Sequence, residues 1–549
     1  QHTSSLSCLS SRAVNSILEE LNPDPDQYKH APNKHAREVS SGHYVLVHPT
    51  PLPLPKLIAY SEDTLRLIGL KPSDAEQEEF AALFGGDVRA VPGFLSTWAT
   101  PYALSIYGEE IIPDGAGRSG NGYGDGRAIS LAEVEDELSG RWELQLKGAG
   151  RTPFCRGGDG RAVLRSSIRE FLASEAMHAL GVPTTRALCL VVSGTEQVRR
   201  PWYRDALEAA DANGFINKHG GNVLQAEQCA ITTRVARSFI RVSQFELYGR
   251  RARGGDERAR EELRKLVMHT IGREFSHLKS ESMEGSMLVQ MVREVGERLA
   301  HMAAEWIRVG YTQSNFNSDN CLVSGTTMDY GPFGFIERYD PSWGMWIGAG
   351  DHFSFLNQPN AAGRNFESFA KSLYPLLGHE EATSVQAIIK NFTSVAQKYL
   401  HDMFARKMGL TRRAERLWTS LERFLTRHPT DYTIFWRQLS LAPRMLAGAN
   451  SSMPLQEQRD AVLQVLEPSW YRELAGETKE ELIRWIDRWL EALREEGRDR
   501  EEVSREMLQV NPKYIPREWM LAEAYQHAQG GDMGPLKDLM DLFAHPYSE

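Results

Sequence analysis

The pattern of apolar and polar positions changes character along the chain. In RWELQLKGAG, Trp142, Leu144 and Leu146 alternate with Glu143, Gln145 and Lys147. That two-residue period predicts a strand with one face on a core and the other, ending at Lys147, turned toward a cleft or solvent. YALSIYG and RAISLAEV read as strands on either side of a glycine-rich loop, GAGRSGNGYGDGR (115–127), and RALCLVVSG and QCAITTRVA add two more. Between this last pair, 196–227 is polar and reads as an irregular insertion. In GDGRAVLRSSIREFLASEAMHALGVP the period lengthens: Leu164, Ile168, Phe171, Leu172 and Ala179 recur at helical spacing, and Gly181 and Pro183 supply the stop. SEDTLRLIGL reads as a short helix with Ser61 at its N-cap. Beyond 237 the pattern is helical to the end, broken by 319–334 and by a Trp-, Gly- and Pro-rich loop over 340–360. Residues 1–55 are rich in Pro, Ser, His and Asn, and HPTPLPLPK (48–56) is held extended by its prolines, so this part reads as an arm lying on the body.

Strands that come first and helices that follow predict an α+β fold in two lobes. An arm and extension occupy 1–90, a β-rich N-terminal lobe 91–236, and a large helical C-terminal lobe 237–549. The chain has 549 residues, ample for more than one core. A formal charge of −10 and the lack of a long basic block give no support to a nucleic-acid partner. No run of about twenty apolar residues suited to crossing a bilayer is found. Five cysteines, at 8, 155, 189, 229 and 321, form no CxxC pair, which argues against a zinc site or a disulfide framework.

Candidate chemistry gathers at a few points. FNSDNCLV (316–323) and TMDYGPFGF (327–335) put Asp319, Asn320 and Asp329 close together, oxygen ligands suited to a hard divalent cation. The residues between them, Cys321 to Met328, read as two short strands around Ser324-Gly325, a hairpin that would bring its acidic ends together; Asx-capped turns are the alternative. A glycine-rich turn between strands can cover phosphates with backbone N–H groups. Lys147, about twenty residues on, can meet a phosphate oxygen while a helix glutamate holds it, a combination protein kinases use. Two glutamates compete for that part, and periodicity slightly favours Glu175 over Glu170 as the buried one. Arg234 and Arg241, seven residues apart, would share a face on one helix, although the strand reading of ITTRVA stands against it; their forked donors suit phosphate. Arg161, Arg165 and Arg169, at four-residue spacing, read as a solvated or carboxylate-pairing stripe. Asn320 and Asp329 match the magnesium ligands of a kinase-like site, but the kinase base, five residues before the Asn, is here Asn315. Asp319 is the nearby carboxylate able to accept a proton.

ELQLKGAGRTPFCRGGDGRAVLRSSIREFLASEAMHALGVPTTRAL and NSDNCLVSGTTMDYGPFGF closely resemble the selenoprotein O family of protein adenylyltransferases, and the resemblance runs from HPTP through DYTIFWRQLSL to VNPKYIPREWM. It implies a protein-kinase-like fold that binds ATP in a flipped orientation, transfers AMP to protein hydroxyls and releases pyrophosphate, with Mg²⁺ or Mn²⁺. It makes Lys147 and Glu170 the lysine–glutamate pair. It places Gly124, Gly126, Arg127, Asp159, Gly160, Arg234 and Arg241 at the nucleotide and its phosphates, Asp319 as the base, and Asn320 and Asp329 as metal ligands. The chain departs from the family at GEEIIPDGAGRSG, where Gly-Gly-His-Gln-Phe-Gly is usual, at Gln313-Ser314, where His-Gly is usual, and at the AHPYSE end, where many members carry a cysteine or selenocysteine. Two other functions stay open on the residues alone: a kinase transferring the γ-phosphoryl group, and an inert nucleotide-binding scaffold. The Ser-rich start resembles the end of a transit peptide, which gives a mitochondrial expectation for a eukaryotic chain and a cytoplasmic one otherwise.

Overall fold

A computed structural model describes residues 5–106, 109–110, 123–136, 140–202, 223–280, 284–345, 351–412, 414–447 and 453–548. Most of the glycine-rich loop and the GEEIIPDGAGRSG departure lie outside the described residues. The structure mixes helices with antiparallel strands. These are β1 (Val45–Leu46), β2 (Lys56–Tyr60), β3 (Trp98–Ala99), β4 (Ser105–Ile106), β5 (Glu109–Glu110), β6 (Ala128–Asp136), β7 (Gly140–Lys147), β8 (Ala162–Val163), β9 (Arg186–Trp202), β10 (Val223–Ala236), β11 (Tyr311–Gln313) and β12 (Phe333–Phe335). The main sheet runs β1-β3-β6-β7-β10-β9-β2, with β8 attached to β10.

The alternating strand sits at the middle of this sheet as β7, where Lys147 pairs with Ala128 on one side and Thr232 on the other. Leu144 and Leu146 join a core with Ile129, Val191 and Ile231, covered by the N-terminal arm through the fully buried Leu6 and Leu9. Of the two alternatives for the other face, cleft or solvent, the structure takes the cleft: Lys147 lines a cavity. Glu143, Gln145 and Lys147 on the opposite face are buried as well. Helix Leu164–Ala179 packs against β9 and β10 as part of a second core that also takes in Phe245, Trp306 and Tyr311. Gly181, at φ +75°, ends that helix as its sequence predicts. Ser61 caps Glu62–Leu67 by accepting from the Thr64 N–H.

Three expectations change. The polar stretch 196–227 is strand at both ends, with Arg200 opposite Gln225 and Val198 opposite Glu227; 203–222 lies outside the described residues. Arg234 lies on β10 whereas Arg241 is the N-cap of helix Val242–Arg253, so no single helix carries both. Arg161 precedes its helix and is buried, donating to the Thr50 carbonyl at 2.7 Å and pairing with Glu196. The expected carboxylate pairing holds for all three, since Arg165 and Arg169 pair with Glu227 and Glu518.

The amphipathic helix Glu284–Val309 buries Leu288, Met291, Val295 and Leu299 and delivers the chain to β11. β11 pairs with β12, Gln313 opposite Phe333, so the segment between them closes into a loop. Cys321 to Met328 forms no strands; one bridge, Cys321 to Thr327, surrounds a turn at Gly325 (φ +71°). Its backbone groups go elsewhere: Val323 N–H donates to Ile240, Thr327 N–H to Pro183, and the Cys321 carbonyl accepts from Val242. Neighbouring segments satisfy the donors that a hairpin would have paired internally.

Candidate functional site

The sheet, the start of helix Val242–Arg253 and the 315–332 loop surround a cavity of about 700 Å³. Seven lysine or arginine side chains and four aspartates line it, an excess of positive charge suited to a polyphosphate. Gly126, Arg127, Lys147, Asp159, Gly160, Arg234, Arg241, Asp319, Asn320 and Asp329, all expected from the sequence, are on its wall. Gly124 and Glu170 are not. A Cβ on Gly124 would meet the Thr100 carbonyl at 2.3 Å and the Phe154 ring at 2.6 Å, so this glycine allows close packing behind the wall.

Glu170 lies one layer deeper and closes a ring of four charges. Lys147 Nζ is 2.5 Å from both Glu170 Oε2 and Asp329 Oδ1. Arg234 spans the same two acids, its Nε 2.6 Å from Glu170 Oε1 and its Nη2 2.6 Å from Asp329 Oδ1. The periodicity argument for Glu175 is thereby corrected. Glu175 accepts from Arg186, Ser61 and the Ala187 N–H instead, at the far side of the same helix. Asp329 adopts a left-handed backbone, φ +56°. Burial pushes its carboxyl up, but Lys147 and Arg234 outweigh this and hold it far below the usual carboxylate range.

Asp319 is the opposite case. Set in the short 3₁₀ turn Ser318–Asn320, it keeps Oδ1 buried without a hydrogen-bond partner. Burial raises its pKa to about 6, against the pull of Arg241. Arg241 in turn is 2.7 Å from Asp125 and lies over the Tyr102 ring at 4.6 Å, with its Nε buried and without an acceptor. Asp125 is itself fixed by the Thr100 N–H and hydroxyl. At the opposite rim Arg200 grips Asp159 with two donors, at 2.7 and 2.8 Å, and this hydrogen bonding lowers the Asp159 pKa. Gly160 (φ +72°) is tight against Gly150, 2.1 Å from where a Cβ would lie. Arg127 is exposed at the mouth, as is Arg156, which stacks on Tyr123 at 4.4 Å.

Sequence reasoning missed Tyr102, Asp125, Arg156, Arg200, Asn315 and Asn317 as wall residues. Two of them had a signal: Asp125 stands between Gly124 and Gly126, and Arg156 just before Asp159-Gly160. Arg200 was hidden in the stretch read as an insertion. Asn317 Oδ1 is another buried oxygen without a partner, two residues from Asp319.

The donors fit a shared rather than an enclosed cation. Among the described residues no group of three or more His, Cys, Asp or Glu could hold a metal alone. Asn320 donates its Nδ2 to the Asn315 carbonyl at 2.9 Å, which leaves its Oδ1 for a cation, and Asp319 and Asp329 line the same cavity. A hard ion held by so few protein oxygens would need phosphate oxygens and water to complete its shell.

Comparison with known proteins agrees with this chemistry. A family model described as protein adenylyltransferase SelO matches residues 27–206 and 219–544. The chain is 37% identical over 543 residues to the protein nucleotidyltransferase YdiU of Azoarcus sp. (strain BH72), covering 97% of this chain and 93% of that one. Identity is 36% to the protein of the same name from Aromatoleum aromaticum, over 98% and 94% of the two chains, and 35% to that of Rhodopirellula baltica, over 94% and 91%. These relatives are bacterial, and the mitochondrial expectation has no support in them. Among the described residues, no helix is long and apolar enough to cross a membrane.

Proposed function

Since the chain belongs to the SelO family of protein adenylyltransferases and is a protein nucleotidyltransferase by family, we propose that it transfers AMP from ATP to Ser, Thr or Tyr hydroxyls of other proteins and releases pyrophosphate. One observation carries this reading: a cavity rich in cations with the Asp319 carboxyl on its wall, its Oδ1 without a partner. In this reading Asp319 accepts the hydroxyl proton as the oxygen attacks the α-phosphorus in line. Lys147, Arg234 and Arg241, with Arg127 at the mouth, draw the β- and γ-phosphates and stabilise the charge that builds on departing pyrophosphate. Gly126 and Gly160 let the backbone come near the nucleotide, and Asp159 orients Arg200 beside it. Glu170 positions Lys147. Asn320 and Asp329 would hold Mg²⁺ or Mn²⁺, which when bound neutralises phosphate charge. The same reading carries a two-lobed, kinase-like arrangement with divisions near residues 90 and 236; the cavity draws walls from both β6–β10 and the 315–332 loop.

The Lys147–Glu170 pair is equally suited to a kinase, so the test must separate the two chemistries. The purified chain is incubated with Mg²⁺ or Mn²⁺ and ATP labelled at either the α- or the γ-phosphorus. Label from the α position should enter protein, γ label should not, and the free product should be pyrophosphate. Incorporation of γ label would establish the kinase reading, and no label from either would leave an inert scaffold.

A further inference from the structure

Gln313 has no part in the cavity wall, yet its side chain connects several segments that form the wall. Its Nε2 is 3.1 Å from the Met328 carbonyl, 3.2 Å from the Asp329 carbonyl and 3.2 Å from Asn315 Oδ1. Its Oε1 accepts from the Tyr311 hydroxyl, and its backbone N–H donates to Gln358 Oε1 at 2.9 Å. Peptide carbonyls only accept, so the amide must turn its NH₂ group toward Asp329 and its oxygen toward Tyr311. The roles of Oε1 and Nε2 are thus determined, two N–H bonds being shared among three acceptors, and Gln313 itself is buried. The group it holds is Asp329, whose backbone is left-handed (φ +56°), a conformation uncommon outside glycine although aspartate is among the residues that adopt it.

We propose that Gln313 is a positioning residue for the reaction at this cavity, its amide clamping the Met328–Asp329 backbone to the Asn315–Asn320 segment so that the Asp329 and Asp319 carboxylates keep their mutual placement. The proposal rests on the transferase reading for its kinetic consequence but not for the clamp itself. Ser314 supports the same arrangement from the other side: its N–H donates to the Pro332 carbonyl at 3.0 Å and its hydroxyl accepts from the Met345 N–H at 2.8 Å. These are the two positions at which the chain departs from the usual His-Gly. A neutral imidazole has one N–H and can reach one of the two carbonyls; the amide spans both. Leucine offers no donor, and glutamate would set a carboxylate against two carbonyl oxygens.

The test compares Gln313→Leu, Gln313→Glu and Gln313→His with the parent full-length chain. Transfer of α label to casein gives kcat and KM for ATP, and hydrogen exchange gives protection of peptide 327–333. Leu and Glu variants should lose at least fiftyfold in kcat with KM for ATP within threefold, while 327–333 exchanges at least tenfold faster and remote peptides do not change. Gln313→His should recover a tenth or more of parental kcat and part of the protection. A Leu variant retaining half of parental kcat, unchanged exchange at 327–333, or a His variant no better than Leu overturns the proposal. If the parent itself transfers no label, the function fails and exchange alone judges the clamp. Should Gln313→Leu melt globally, Gln313→Asn, one methylene too short to reach both carbonyls, takes its place in every measurement.

Discussion

Asp329 is a structural counter-charge at the position where the proposed chemistry calls for a metal ligand. With Lys147 and Arg234 on one oxygen, it shares with Glu170 the neutralising of two cations that the sheet has already taken out of water. Arriving phosphates would compete with Asp329 and Glu170 for those cations, so the ring is a site preorganised for anions. Asp329→Asn keeps a residue that tolerates φ +56° but removes the charge. Transfer should fall at least a hundredfold, and the melting temperature should drop, because breaking a buried pair costs about 3 kcal/mol at the low end. Label transfer and a thermal melt check this; activity within tenfold of the parent would remove Asp329 from the chemistry. The residue types here were legible in TMDYGPFGF, and the ion-pair partners were not. An aspartate's partner is chosen through space, by strands that lie 182 and 95 residues away.

At the scale of an element, helix Leu164–Ala179 has two glutamates doing different work. Glu170 faces the cations of β7 and β10, while Glu175 ties the helix to β9 and to Ser61 of the short N-terminal helix. Apolar periodicity marks the core-facing stripe, but a glutamate is buried by its cations and not by its place on that stripe. Two variants separate the roles. Glu170→Gln should cut transfer by orders of magnitude. Glu175→Gln should lower stability by roughly 1–3 kcal/mol, as for a buried acceptor lost, with activity of the folded fraction retained. Melting temperature and label transfer measured on both variants would expose a reversed assignment.

Across the whole molecule, the sheet has a polar layer that couples stability to pH. Glu143, on the face shared with Lys147, accepts from Ser130 and from the Phe239 N–H and lies near Glu133, which accepts from Ser16 and sits 3.5 Å from Arg273. Burial, aided by Glu133, raises the Glu143 pKa to about 7. A raised carboxyl favours folding while protonated, so its contribution is complete below about 4.5 and is lost as pH rises through 7. Stability should therefore decline across that window by something of order 1–3 kcal/mol from this group. Glu143→Gln should flatten the decline, and the gain over the parent should be larger at pH 8 than at pH 5. Melts at both values decide it; parallel curves would rule out Glu143 as the source.

Part of this structure is determined locally by the sequence. Strand β7, helix Leu164–Ala179, its Gly181 stop and the Ser61 cap follow from period and from residues whose backbone preferences are local, and such preferences act in any context. The family, too, is legible, because its motifs are long and contiguous. Only the folded chain decided that both faces of β7 are buried, that Cys321 to Met328 yields its hydrogen bonds to 183 and 240–242, and that Glu170 rather than Glu175 meets Lys147. It also decided how readily each carboxylate takes up a proton. Asp319 and Asp329 are the same residue ten positions apart, and one is raised by burial while the other is lowered by two cations. Desolvation and charge pairing depend on what surrounds a group in space, and segments far apart in sequence supply those surroundings.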